Sequence, residues 1–133
     1  MKTYTEEYRF STEEQFQIVD LTGWLREAAS NSDIKEGLAL VSTGHTTGAL
    51  IINEHESRLL EDLRDTLLRI VPDLDYRHPR NAQSHLVSMM LSSDQTIPIK
   101  NGMLELGRWQ SLFWVEAEKR PRERTVQVTT IGE

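Results

Sequence analysis

The chain has 133 residues, a formal net charge of −6 and no cysteine. That length is common for one domain, and it is long enough to bury a core without disulfide support. The lack of cysteine excludes thiolate metal ligands and thiolate nucleophiles, and the acidic balance differs from the basic field of most nucleic-acid binders. No apolar run reaches the ~20 residues that span a bilayer. We therefore expect a single cytoplasmic domain over residues 1–133, with no nucleic-acid or membrane partner.

Apolar periodicity in the first half of the chain predicts four strands and two helices. Thr22 is the predicted cap of a short helix that runs to Ala29. A longer helix is predicted after Asn53, because Glu56 completes a capping-box pattern and leucines then recur at helical spacing as far as Pro72. The strands are predicted where apolar and polar residues alternate or where short apolar runs occur, over residues 3–10, 15–20, 36–42 and 49–52.

The second half of the chain predicts one helix and four more strands. Asn81 is the predicted cap of a helix that runs from Ala82 to about Leu91. Asn101 and Gly102 favour a two-residue hairpin turn between two strands. Eight strands gathered in runs, with three helices, indicate an α+β fold and argue against a regular parallel α/β sheet. The strands of this half are predicted over residues 96–99, 103–106, 110–116 and 125–130.

Three of the four histidines occupy positions where sites are often built. His45 follows a predicted buried strand, His78 lies in the loop before the third helix, and His85 lies one turn into that helix. Three neutral imidazoles can hold a zinc-like ion with one open position, whereas a helix N-terminus favours an anion. The spacing matches no local metal motif, so three separate hydrogen-bonded histidines are the alternative. His55 lies beside a helix cap and is expected to be solvated.

Polar side chains near these histidines are candidate substrate contacts. Two hydroxyls follow His45 directly and can orient a ligand or a bound water. Two arginines near the C-terminus point to one face if their segment is extended, and paired guanidinium groups suit a phosphate or pyrophosphate. A solvated, charged turn is the alternative for those arginines. The candidate substrate contacts are Thr46, Thr47, Asn81, Gln110, Arg122 and Arg124.

Four short motifs follow one another along the chain. They are His45-Thr46-Thr47 with Ile51-Ile52-Asn53-Glu54; His78 with Asn81-Ala82 and His85-Leu86; Ile97-Pro98-Ile99 with Gly102-x-Leu104-x-Leu106-Gly107-x-Trp109-Gln110; and Arg122-x-Arg124 before a final strand that ends in Gly132-Glu133. In this order they resemble the YjbQ-like family, also named the secondary thiamine-phosphate synthase family. The resemblance extends from about residue 3 to the end of the chain.

This resemblance implies a compact fold with two packed, mostly antiparallel sheets and a homotrimeric assembly. It also implies a site shared by His45, His78 and His85, acting as catalytic residues or as ligands of a zinc-like ion, and a small phosphorylated molecule as substrate. The implied activity is of the thiamine-phosphate synthase type, in which a transferase joins a pyrimidine pyrophosphate to a thiazole phosphate and releases pyrophosphate. A non-enzymatic trimer that binds a metal or a small anion is the alternative, and the sequence leaves both open.

The chain departs from the family pattern just before the third helix. Arg80 stands where the resemblance predicts a glycine, and Gln83-Ser84 stand where it predicts an acidic residue. These differences predict a loop of different shape ahead of His85, and they leave the identity of the substrate open.

Overall fold

The computed structural model describes residues 1–133 and has eight strands and three helices, as the sequence predicted. All strand pairs are antiparallel, and the strands form two sheets, so the α+β prediction is confirmed. The helices are α1 (Thr22–Ser32), α2 (Ser57–Ile70) and α3 (Ala82–Met90). The strands are β1 (Lys2–Thr12), β2 (Ile18–Asp20), β3 (Gly37–Ser42), β4 (Gly48–Asn53), β5 (Asp94–Lys100), β6 (Met103–Leu104), β7 (Ser111–Glu116) and β8 (Arg122–Gly132).

The larger sheet has the strand order β1-β8-β3-β5-β6. β8 lies between β1 and β3 and pairs with β1 over all eleven residues of both strands. The hairpin from β5 to β6 turns at Asn101 and Gly102, whose φ angles are +51° and +77°. Two positive φ angles in succession are the geometry that an Asn-Gly hairpin favours, so this prediction is confirmed.

The smaller sheet has the order β2-β7-β4, and β7 is its central strand. Every residue of β7 after Ser111 is buried. The main core joins the inner faces of the two sheets to α1, with Trp114 of β7 and Leu25 of α1 among its fully buried members. The loop from β7 to β8 therefore starts from a strand that is anchored in the core, and its first two residues, Ala117 and Glu118, are buried as well.

The helix boundaries correct two of the predicted caps. Asn53 is the last residue of β4, and Glu56 caps α2 by accepting a hydrogen bond from the Leu59 amide at 2.8 Å. Thr22 is the first residue of α1 and makes no cap; its hydroxyl instead receives the Leu112 amide at 2.9 Å. Asn81 occupies the cap position of α3 as predicted, but its side chain makes no cap hydrogen bond. None of the three helices is long and apolar enough to cross a membrane.

Most predicted strands differ from the structure at their ends, and two of them differ further in where they begin or in burial. The strand predicted over residues 15–20 begins only at Ile18, because Phe16 has a φ of +63° and turns the chain. The strand predicted over residues 36–42 is buried on one face only. Leu38 and Leu40 on its other face are 46% and 41% exposed, because no helix or sheet covers that side.

Candidate functional site

His45 lies in the loop that connects β3 to β4, and the ring is half-buried against β8. Its Nε2 accepts a hydrogen bond from the Thr125 amide at 3.0 Å, and its Nδ1 lies 3.3 Å from Nη1 of Arg124. Both ring nitrogens therefore face N–H donors, and no acceptor is placed to receive a second ring proton. Burial lowers the pKa of His45, the positive charges of Arg124 and Arg122 lower it further, and Glu116 opposes them. The neutral imidazole is the form that this environment favours.

Arg124 is 1% exposed and forms the charged centre of this region. Its guanidinium binds the carboxylate of Glu116, which is 0% exposed, through Nε–Oε1 and Nη2–Oε2 contacts of 2.8 and 2.5 Å. Nη2 also donates to the carbonyl and the hydroxyl oxygen of Thr47, at 3.1 and 3.0 Å. A bidentate pair whose Nη2 is also bound by Thr47 is a well-ordered arrangement. Arg124 and Thr47 therefore position the His45 loop.

His78 and His85 form a second group, at the start of α3. Their ring centroids are 4.8 Å apart and the rings meet edge to face. Both rings line an open cavity of about 700 Å³ whose other walls include Arg77, Tyr76 and Met89. The cavity thus combines two imidazoles, a guanidinium and the carboxylate of Asp75 with aromatic and aliphatic surface, a combination typical of small-molecule sites.

A chain of hydrogen bonds joins this pair to the Arg124 region. His78 Nε2 lies 3.2 Å from Asn81 Oδ1, and Asn81 Nδ2 donates to Glu118 Oε2 at 3.1 Å. The Glu118 amide in turn donates to Glu116 Oε2 at 2.8 Å. Burial acts to raise the pKa of Glu118, but the hydrogen bond from Asn81 and the charges of Arg120 and Arg122 outweigh it and hold the pKa below its usual value.

The side chains of four arginines near Glu118 make no hydrogen bond and no ion pair, although the chain has 21 acidic residues. Arg77 and Arg80 lie before α3, and Arg120 and Arg122 lie at the start of β8 and in the loop before it. Arg122 is half-buried, and its charge acts on both His45 and Glu118. The region is therefore locally basic on an acidic protein, which favours an anionic ligand.

The structure divides the predicted histidine set. His78 and His85 are neighbours, but His45 lines a separate cavity of about 390 Å³ between the β3–β4 loop and β8. No group of three or more His, Cys, Asp or Glu side chains is arranged to hold a metal ion. The predicted histidine cluster and its metal-binding character are therefore wrong for the single chain, because the β8 backbone and Arg124 occupy both nitrogens of His45.

The remaining predicted contacts have different surroundings. His55 is solvated, as expected, and its ring bonds Asp20 at 2.7 Å. Gln110 closes the turn before β7, where its Oε1 receives the Gly107 amide at 2.7 Å. Thr46 is exposed beside His45 and makes no side-chain hydrogen bond. The ligand-binding roles assigned to these side chains and to the histidines stay predictions.

The sequence reasoning missed two buried carboxylates of this region, Glu116 and Glu118. An acidic residue inside the apolar run of β7 is the signal that could have revealed Glu116, because a charge on a buried strand needs a partner. Glu118 lies two residues beyond the end of the strand, and no comparable sequence signal marks it.

Comparisons with known proteins place the chain among proteins of one fold and one family. A family model described as UPF0047 protein YjbQ-like matches residues 6–133. A UPF0047 protein of Methanothermobacter thermautotrophicus is 38% identical, with 99% of this chain and 94% of the relative covered. A UPF0047 protein of Archaeoglobus fulgidus is 36% identical, with 94% and 99% covered. The crystal structure of a YbjQ-like protein of unknown function from Sulfolobus solfataricus matches with a TM-score of 0.95 and 33% identity, and 99% of each chain is covered.

These comparisons correct the predicted activity. The relatives described above are named UPF0047 proteins or YbjQ-like proteins of unknown function, and none of these names denotes a thiamine-phosphate synthase or another transferase. Together with the divided histidines, this removes the support for the predicted thiamine-phosphate synthase reaction at a three-histidine site. The family match itself covers nearly the whole chain and agrees with the resemblance seen in the sequence motifs. The chain belongs to the UPF0047 protein YjbQ-like family.

Proposed function

We propose that this protein binds a small phosphorylated molecule and that Arg122 is the main phosphate contact. The observation that carries the proposal is the state of Arg122: the residue is half-buried, and its side chain has neither a hydrogen bond nor an ion pair. An arginine that loses water without gaining a carboxylate is costly unless a ligand supplies the anion. A phosphate fits because a guanidinium can bind it through two parallel hydrogen bonds.

The surroundings of Arg122 support an anion over a cation. Its neighbour along the same face of β8, Arg124, is held in place by Glu116 and is neutralised by it. Burial and the positive charges of Arg124 and Arg122 lower the pKa of His45, so the neutral ring adds no charge of its own beside Arg122. The sequence predicted Arg122 and Arg124 as a phosphate-binding pair; in our proposal Arg122 binds and Arg124 positions.

Calorimetric titration with inorganic phosphate tests this proposal. We expect the wild-type protein to bind phosphate and the Arg122→Gln variant to bind it at least about 10-fold more weakly, because a charged hydrogen bond contributes about 1.5–3 kcal/mol. Arg26→Gln is the matched control, since Arg26 is exposed on α1, has no partner, and carries the same charge. No binding by the wild type at millimolar phosphate, or equal affinity of the two variants, would refute the proposal.

We also propose that the protein assembles as a homotrimer, and an uncharged surface on the larger sheet supports this. Two neighbouring rows of residues cross β1, β8, β3 and β5 on the face away from the core. These two rows contain eight residues, and none of them is charged. Because charged residues make up 27% of the chain, about two of the eight would be expected to carry a charge. An open, uncharged sheet face with exposed leucines is typical of an interaction surface. The rows are Thr3, Ile131, Leu38, Pro98 and Thr5, Thr129, Leu40, Thr96.

Leu40 and Leu59 offer a matched pair of variants, because their side chains are 41% and 42% exposed. Light scattering should give about three times the 15.4 kDa chain mass for the wild type and for Leu59→Glu, which lies on α2. Leu40→Glu places a charge in the sheet face and should reduce the mass toward 15.4 kDa while the circular dichroism stays unchanged. A wild-type protein that is monomeric at all concentrations would exclude the trimer.

A further inference from the structure

A groove of about 280 Å³, here called the α2 groove, lies between the first half of α2 and the smaller sheet. Ile51 of β4 and Phe113 of β7 line it and are cross-strand partners. Leu112 and Trp114 belong to the main core, so strand alternation directs Phe113 and its partner to the opposite face of the sheet. The rest of the apolar lining comes from three leucines of α2, which are Leu59, Leu60 and Leu63.

The two ends of α2 differ in how they pack. At the C-terminal end, Leu67 and Val71 are 4% and 5% exposed and form a second, smaller core with Val87. In the first turn, by contrast, Leu59 is 42% exposed. Protein interiors are normally close-packed. A groove that is lined by five apolar side chains and open to solvent is therefore apolar surface that the chain itself leaves uncovered.

The charged side chains of the α2 groove are all negative. Glu54 and Asp62 line it, and no lysine, arginine or histidine does. Neither of the two carboxylates makes a hydrogen bond or an ion pair. Glu54 is half-buried, and a carboxylate that loses water without gaining a donor is unfavourable unless a cation is supplied. The charge of this groove therefore complements a cation.

The basic side chains that follow Glu54 in sequence are bound to other carboxylates. His55 Nδ1 lies 2.7 Å from Asp20 Oδ2, and Arg58 Nε donates to Glu56 Oε1 at 2.6 Å. Glu56 is also the cap of α2, so Glu54 is not required at the helix amides. Nothing in the fold neutralises Glu54 or occupies its oxygens.

We infer that the α2 groove binds a small amine, with its ammonium group against Glu54 and Asp62 and its apolar body against Phe113 and the leucines. An ammonium carries three donors, so it can bind more than one acceptor at the rim. A groove of about 280 Å³ lies just below the range of about 300–1,000 Å³ for drug-sized ligands, which limits the ligand to a small molecule. The groove shares no residue with the Arg122 region, so this binding is independent of phosphate binding.

Calorimetric titration with phenethylammonium chloride tests this inference on the full chain, and 2-phenylethanol is the neutral probe of nearly the same shape. The wild type should bind the amine at least about 10-fold more tightly than the alcohol, because only the amine can pair with a carboxylate. Glu54→Gln should weaken amine binding about 10-fold and leave alcohol binding within about 2-fold. Glu61→Gln is the matched control, since Glu61 is exposed on α2, lies outside the groove, has no partner and carries the same charge.

Leu63→Phe places a larger side chain in the α2 groove and should weaken the binding of both probes, while the phosphate affinity and the mass of the assembly stay unchanged. Amine binding that this variant leaves unchanged would place the amine elsewhere and overturn the inference. A lower mass of this variant in light scattering would show that the groove is an interface between copies of this chain, with the same consequence.

Three results with the other variants also overturn the inference. They are no amine binding by the wild type at millimolar concentration, equal affinity for the amine and the alcohol, and an amine affinity that Glu61→Gln reduces as much as Glu54→Gln does. None of these results bears on phosphate binding at Arg122.

Discussion

Replacement of Glu116 by glutamine should destabilise the protein by more than any surface substitution. The wild-type carboxylate is fully buried and neutralises Arg124, which is 1% exposed. Glutamine has nearly the same shape but no charge, so the variant leaves a guanidinium in the core without a counter-charge. Breaking a buried pair by removing one partner costs about 3–5 kcal/mol.

The other hydrogen bonds of Glu116 indicate where, within the range of about 3–5 kcal/mol, the loss of unfolding free energy should lie. Oε1 accepts from Thr12 at 2.7 Å and from Trp114 Nε1 at 3.3 Å, and the amide oxygen of glutamine can retain these bonds. Oε2 accepts from the Glu118 amide, and the amide nitrogen of glutamine would face that donor instead. We therefore expect a loss of about 4 kcal/mol, from the unpaired charge together with one lost acceptor.

Urea unfolding followed by circular dichroism measures this loss, at one protein concentration because assembly would add to the apparent stability. The double variant Glu116→Gln/Arg124→Met removes the stranded charge and should recover at least about half of the lost free energy. A loss below about 1 kcal/mol for the single variant would show that the pair contributes little. A double variant less stable than the single variant would show that the stranded charge is not the cause.

Three further expectations concern His45 and two glycines. Burial, and then the charges of Arg124 and Arg122, lower the pKa of His45 in the folded protein. As the pH drops below about 6.5, the His45 ring therefore gains a proton in the unfolded chain before it does so in the folded one, and the free energy of unfolding should fall. The His45→Gln variant should show a weaker dependence of this free energy on pH. Gly48→Ala should lower the free energy of unfolding by about 1–3 kcal/mol, because a Cβ at residue 48 would overlap the Trp114 ring. A variant whose urea midpoint equals that of the wild type would contradict this expectation. Gly23→Ala in α1 should raise the free energy of unfolding by about 0.5–1 kcal/mol, because alanine has the higher helix propensity and its Cβ would meet no atom within 4 Å. The urea midpoint should rise accordingly, and a lower midpoint would be evidence against helix propensity as the reason.

Local pattern was sufficient for most elements of the fold. The leucine spacing of α2 and the Asn101-Gly102 turn are short-range signals, since each depends on residues within one or two turns of chain. Caps were less predictable. Asn53 and Glu56 both suit a helix start, and only the pairing of Asn53 with Ser111 in β4–β7 decided that the strand continues and that Glu56 caps the helix.

Tertiary structure decided the candidate site, because its contacts join residues that are far apart in sequence. The sequence determined that histidines and arginines exist in loops, and that Arg122 and Arg124 share a face of their strand, as side-chain alternation requires. It could not determine that Glu116 of β7 neutralises Arg124, since that contact depends on how the two sheets pack. The family resemblance likewise grouped His45 with His78 and His85, whereas the packing of the β3–β4 loop on β8 places His45 beside Arg124, 79 residues away in sequence.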